Sequence, residues 1–149
     1  MEKAIASIEI VTFSHATENA ERVLKALKNL LQENILEKVE FGEEELTGYY
    51  GNPIKILTAK VTEKEAINQI VTFLASNLNS SDKLSLGQDM RLKGEKDRDL
   101  FIRLDKQAAY LGKMQLSSRD SIRIRFRFKL HPKGHKKFLE VYQEMGLIA

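Results

Sequence analysis

From Ala4 to Phe13 the chain is rich in Ile and Val, with Ser7 and Glu9 on one side of the extended backbone, which predicts a strand. The period then changes. Val23, Leu24, Leu27, Leu30 and Leu31 fall at helical spacing, with Thr17 as the expected N-cap and Glu18 and Glu21 in the first turn. Val39 and Phe41 open a second strand that runs through Glu43, Glu44 and Glu45. Gly48, Gly51, Asn52 and Pro53 mark a turn, and Ile54 to Val61 is a third strand. Thr62-Glu63-Lys64-Glu65 reads as a capping box for a second helix, whose inward stripe is Ala66, Ile67, Ile70, Val71 and Leu74. Asn77 to Asp82 is a polar break. Between Lys83 and Gly94 the pattern does not decide, because Leu84 and Leu86 alternate while Gly87 and Gly94 interrupt. Lys93 to Asp99 reads as an exposed charged loop.

Leu100, Ile102 and Leu104 alternate with Phe101 and Arg103, giving another strand. Gln107 to Leu111 is a short helical turn stopped by Gly112, and Ser117 to Asp120 is a turn. Ser121 to Leu130 is the clearest strand of the chain. His131 to His135 is a loop, and Lys136 to Met145 is a closing helix with Phe138, Leu139, Val141, Tyr142 and Met145 inward. The expected order is β-α-β-β-α-β-β-α. Amphipathic helices among strands of period two imply an α+β fold, a mostly antiparallel sheet with helices on one face. The connections are short, so residues 1–149 are expected to form a single domain.

Composition narrows the function classes. The 149 residues include no Cys, which removes disulfides, thiolate metal sites and thiol nucleophiles. The N-terminus, MEKAIASIEIVTF, has no apolar signal region, and the longest uncharged stretch, Ala66 to Ser81, is too polar for a membrane span. A cytoplasmic protein that does not enter membranes is expected. No phosphate-binding glycine loop or nucleophile elbow is present. His131 and His135 lack a third ligand, and Asp82, Asp89, Asp97 and Asp99 lie in a region rich in Lys and Arg. Neither a metal nor any other cofactor is expected, and no catalytic set is indicated.

Charge adds more. The net +3 hides an asymmetry: residues 1–90 hold nine basic and fourteen acidic side chains, a net of −5, and residues 91–149 hold fifteen and seven, a net of +8. Either the basic half meets a polyanion or the two halves neutralise each other. In Ser121 to Leu130 the apolar Ile122, Ile124, Phe126, Phe128 and Leu130 alternate with Arg123, Arg125, Arg127 and Lys129. Alternation puts those four cations on one face, roughly 6.5–7 Å apart, twice the rise per residue. Such a ladder repels itself unless an anion or an acidic neighbour is close, and Glu43, Glu44 and Glu45 are candidate internal neighbours. Arg91, Lys93, Lys96 and Arg98 extend the basic set before it, and Lys133, Lys136 and Lys137 after it.

Two stretches are specific enough to compare. Leu100-Phe-Ile-Arg-Leu-Asp-Lys-Gln-Ala-Ala-Tyr-Leu-Gly-Lys113, with Asp120-Ser-Ile-Arg-Ile-Arg125, is one. Ile8-Glu-Ile-Val-Thr-Phe-Ser-His-Ala-Thr17, with Tyr50-Gly-Asn-Pro-Ile54, is the other. Over residues 4–130 the chain resembles the archaeal RNA-binding domain family described as a predicted exosome subunit. Residues 131–149 add a loop and helix. The resemblance implies a fold like that of the ribosomal protein that binds the small RNA of the large subunit, RNA binding without catalysis, and an archaeal cytoplasm. Within the motif, Arg103 and Lys106 are expected at phosphate, and Asp105 either holds one of them or caps the short helix.

The expected RNA contacts are therefore Arg91, Lys93, Arg98, Arg103, Lys106, Arg123, Arg125, Arg127, Lys129 and Lys133. Phe126 and Phe128 face inward, so backbone or shape recognition is expected rather than base stacking. The resulting expectation is an accessory factor of RNA processing or degradation that binds RNA, and possible partners include exosome or other RNA-processing proteins. The alternative is a protein-interaction module whose basic face docks an acidic surface of a larger complex.

Overall fold

β1 (Ile5–Ser14) is flanked on both sides, antiparallel to β3 (Pro53–Val61) and to β5 (Ser121–Phe128). β2 (Val39–Thr47) adds outside β3, and β4 (Leu100–Asp105) outside β5. The sheet order is β2-β3-β1-β5-β4, with every neighbouring pair antiparallel. This computed structural model describes residues 5–48, 50–93, 99–129 and 138–149.

Register decides which face is dry. Ile8 and Ile10 of β1 lie opposite Val61 and Ala59 on one side and Phe126 and Ile124 on the other, and all six are buried. The helices cover this face. α1 (Ala20–Lys28) buries Val23, Ala26 and Leu27, and α2 (Lys64–Asn77) buries the five residues of its expected stripe. α3 (Ser80–Lys93) contributes Leu86 and Met90, and α5 (Phe138–Glu144) contributes Phe138, Val141 and Tyr142. Each buried Val, Leu, Ile, Phe or Met among them stabilises the fold by about 1.5–3 kcal/mol. Glu9, Val11 and Phe13 point the other way, onto a face outside the apolar cluster.

Several local expectations change. Thr17 is not the cap of α1. Glu18 turns back to His15, its amide donating to the His15 carbonyl at 2.9 Å, so the helix starts later. Asn19 caps it, its Oδ1 accepting from the amides of Glu21 and Arg22. The capping box before α2 does not form. Glu63 stands at the cap position without a side-chain cap bond, and its carboxylate pairs with Lys38 at 2.9 Å. A 3-10 turn, Glu33–Lys38, precedes β2 where no element was expected.

The undecided stretch after Lys83 is α3. Its start at Ser80 is prepared by Asn79, whose Oδ1 accepts from the Asp82 amide at 2.7 Å. Gly87 is not a breaker. A Cβ there would lie 2.6 Å from the carbonyl oxygen of Ala149, so glycine admits the chain's last described residues against the helix. The short helix α4 (Lys106–Tyr110) is capped by Asp105, whose Oδ2 accepts from the Ala108 amide at 2.8 Å. The described order is thus β-α-β-β-α-α-β-α-β-α. The charged loop of residues 94–98, the loop of residues 131–135 and the start of the closing helix lie outside the described residues. Among the described residues, no helix is long and apolar enough to cross a membrane.

Candidate nucleic-acid interface

The uncovered face of the sheet has two halves. On β4 and β5 it carries Phe101, Arg103, Arg123, Arg125 and Arg127. On β2 and β3 it carries Glu40, Glu44 and Leu46 beside Ile54, Ile56 and Lys60. β1 runs between them. Glu9 faces Arg125 and Lys60, Val11 faces Arg123 and Thr58, and Phe13 faces Ile56. The acidic run Glu43 to Glu45 is therefore no neighbour of the ladder, because β3 and β1 stand between β2 and β5.

The ladder's acidic partners come from elsewhere. Asp99, at the start of β4, takes Arg125 at 2.6 and 2.8 Å through Nη2 and Nε. Its other oxygen accepts from the Phe128 amide at 2.9 Å, which closes the end of β5. Glu9 lies 3.8 Å from Arg125 and 3.5 Å from Arg127. Lys129 follows the strand and is exposed.

Arg103 and Arg123 are different. They sit directly opposite each other across β4 and β5, and both are exposed. Opposed side chains on an antiparallel pair start about 4.5–5.5 Å apart at Cβ, and like charges there are destabilising. Among the described residues neither has an ion-pair partner. Phe101 tempers the repulsion: the guanidinium carbons of Arg103, Arg123 and Arg125 lie 5.8, 5.6 and 5.5 Å from its ring centroid.

Lys106 leaves the expected set. It is buried, and its ammonium donates to the Phe13 carbonyl at 2.7 Å and contacts Glu18 and Asp120 at 3.0 Å each. All three donors are engaged, so none is available to a phosphate. Arg91 also leaves it. It lies on α3 in the helix layer, and its Nη2 donates to the Ala149 carbonyl at 3.0 Å. The Lys93 side chain, Arg98 and Lys133 lie outside the described residues.

Around Lys106, His15 Nε2 lies 3.1 Å from Asp120 Oδ1, and ligand atoms of His15, Glu18 and Asp120 come within 4.8 Å of one another. That grouping would suit a divalent ion, but the Lys106 ammonium already sits against both carboxylates where a metal would be. Burial opposes ionisation of Asp120, yet hydrogen bonds and charges from Lys106 and His15 outweigh it and hold the carboxyl below its ordinary value. Asp120 has φ 35°, a left-handed turn that feeds β5 and that Asp tolerates better than most residues.

Two aromatic side chains on the open face did not stand out in the sequence, Phe101 and Phe13. Each belongs to a strand other than the ladder's own, so only the strand order reveals that they adjoin it.

Comparison with known proteins bears on the family and the fold. A family model described as RNA binding matches residues 7–128. An RNA-binding protein of Pyrococcus abyssi is 36% identical over 140 residues, spanning 93% of this chain and 91% of that one. An uncharacterised protein of Methanocaldococcus jannaschii is 37% identical over 135 residues, 88% of this chain and 89% of that one. Among solved structures, a DUF54 protein of Archaeoglobus fulgidus superposes with a TM-score of 0.78 at 27% identity, covering 95% of this chain and 99% of that one. The single α+β domain is the fold shared with that protein. With most of its length matched by the family model and both relatives above 30% identity, the chain belongs to the RNA-binding family.

Proposed function

We propose that the chain is a non-catalytic RNA-binding protein, an accessory factor in archaeal RNA processing or degradation, that holds the RNA backbone on the basic half of its open sheet face. One observation carries this reading: the exposed Arg103–Arg123 pair, directly opposed and with no ion-pair partner among the described residues. A fold keeps two like charges together at a cost in repulsion, and a phosphate removes it with bidentate, charge-assisted hydrogen bonds. Arg127 and Lys129 extend the track. Arg125 contributes field rather than contact, being held by Asp99.

The test is binding of a labelled RNA oligonucleotide between about 50 and 200 mM salt, wild type against Arg103→Ala/Arg123→Ala. Affinity is expected to fall steeply with salt. The double variant binds more weakly, with a log–log slope shallower by about 0.7, the increment for one phosphate contact on single strands. Unchanged affinity and slope in the variant would remove the pair from the interface. No binding at the lowest salt would favour the alternative, in which the basic face docks an acidic protein surface. Co-purification of protein partners after nuclease treatment then identifies that surface.

A further inference from the structure

We infer that the open face takes RNA that is locally single-stranded, with an unpaired base stacked on Phe13 and its phosphate on Arg123 and Arg103. This rests on the RNA-binding reading and goes further, since it names the form of the RNA; it also departs from the expectation of recognition without stacking, because Phe13 of β1 supplies the exposed ring that the ladder strand lacks.

Phe13 is a large aromatic side chain, 43% exposed, on the uncovered side of the central strand. It stands two residues beyond Val11, and Val11 is the register partner of Arg123. Phe13 and Arg123 are thus diagonal neighbours on one face, about 7–8 Å apart. That separation suits one nucleotide, phosphate on the guanidinium and base on the ring. Ile56, opposite Phe13 on β3, continues the apolar floor under the base.

Charge sets the polarity of the site. Beyond Ile56 lies Glu44, its partner on β2, and Glu40 lies along the same strand. A phosphate is repelled there, whereas a neutral base is not. The backbone is therefore confined to the β4–β5 side, and bases reach inward over β1. A duplex does not fit this division, because its bases are already stacked and its two backbones enclose them. An aromatic floor beside a cationic track is the arrangement that holds unpaired strands without strict sequence preference.

The experiment uses the full chain and three probes: a labelled oligoadenylate, a labelled oligouridylate and a blunt RNA duplex of equal length. Wild type is expected to prefer the single strands. Phe13→Ala should weaken single-strand binding about tenfold, while duplex affinity and the salt slope stay as in wild type. Phe13→Tyr should retain binding and Phe13→Leu should not, which separates stacking from apolar contact. Thermal unfolding of each variant confirms that it is folded. Phe13→Ala or Phe13→Leu binding single strands like wild type would overturn stacking. If Arg103→Ala/Arg123→Ala still loses binding in that case, the phosphate reading survives alone. If that variant also binds normally, both readings fall.

Discussion

Arg125 and Arg123 are two residues apart on one strand, share one face, and have opposite uses. Arg125 is held by Asp99 and Glu9, while Arg123 faces Arg103. Arg125→Ala is expected to lower stability by about 1–2 kcal/mol, the scale of a charge-assisted bond reduced for a half-buried arginine. Arg123→Ala should stay within about 0.5 kcal/mol of wild type, since it also relieves repulsion. Urea unfolding measures both, and RNA affinity should rank them in reverse. Asp120 supplies a pH signature. Its folded value is below the ordinary 3.8, so it stabilises the protein above that pH and loses the contribution as pH falls through the lowered value. Asp120→Asn keeps the left-handed turn, so its stability deficit against wild type should be full at neutral pH and vanish in acid. The alternation of the ladder was legible because it is local. Its half-neutralisation was not, because Glu9 and Asp99 approach from separate strands.

Elements were legible where one apolar stripe or one alternation ran unbroken, as in α2 and β5. α3 was not, because among its described residues the buried apolar side chains are Leu86 and Met90, with a glycine between them. That glycine makes a prediction with two opposing terms. Gly87→Ala gains up to about 1 kcal/mol of helix propensity. It also drives a Cβ to 2.6 Å from the Ala149 carbonyl, and overpacking costs about 1–3 kcal/mol. The net expectation is destabilisation, read from the denaturation midpoint; a stabilised variant would mean that the terminal contact yields freely. α4 tests a different point. Its Lys106 joins the end of β1 to the residues preceding α1 and β5. Lys106→Met should cost about 2 kcal/mol by leaving two carboxylates without their cation. RNA affinity of the folded variant should remain, because the ammonium faces inward.

At the scale of the whole molecule, the division into an acidic and a basic half was plain in the sequence, and so was an antiparallel sheet with helices on one side. Which halves would meet was not. The strand order keeps β2 and β5 apart, so the two signs share one face without cancelling across it. That separation gives the candidate interface its edge, basic side chains on one side and acidic ones on the other.

The central position of β1 governs how the interface comes into being. β1 is made before the strands that flank it, yet its β5 neighbour is far downstream: the bond from Thr12 to the Ser121 carbonyl spans 109 residues. Closing so long a loop is slow compared with forming local hairpins. The portion through Met90 holds β1, β2 and β3 and carries a net charge of −5. That stretch by itself repels polyanions. The basic side chains of the open face arrive only when β4 and β5 are added to the free side of β1, so the full charge pattern of that face also reports that the sheet is complete.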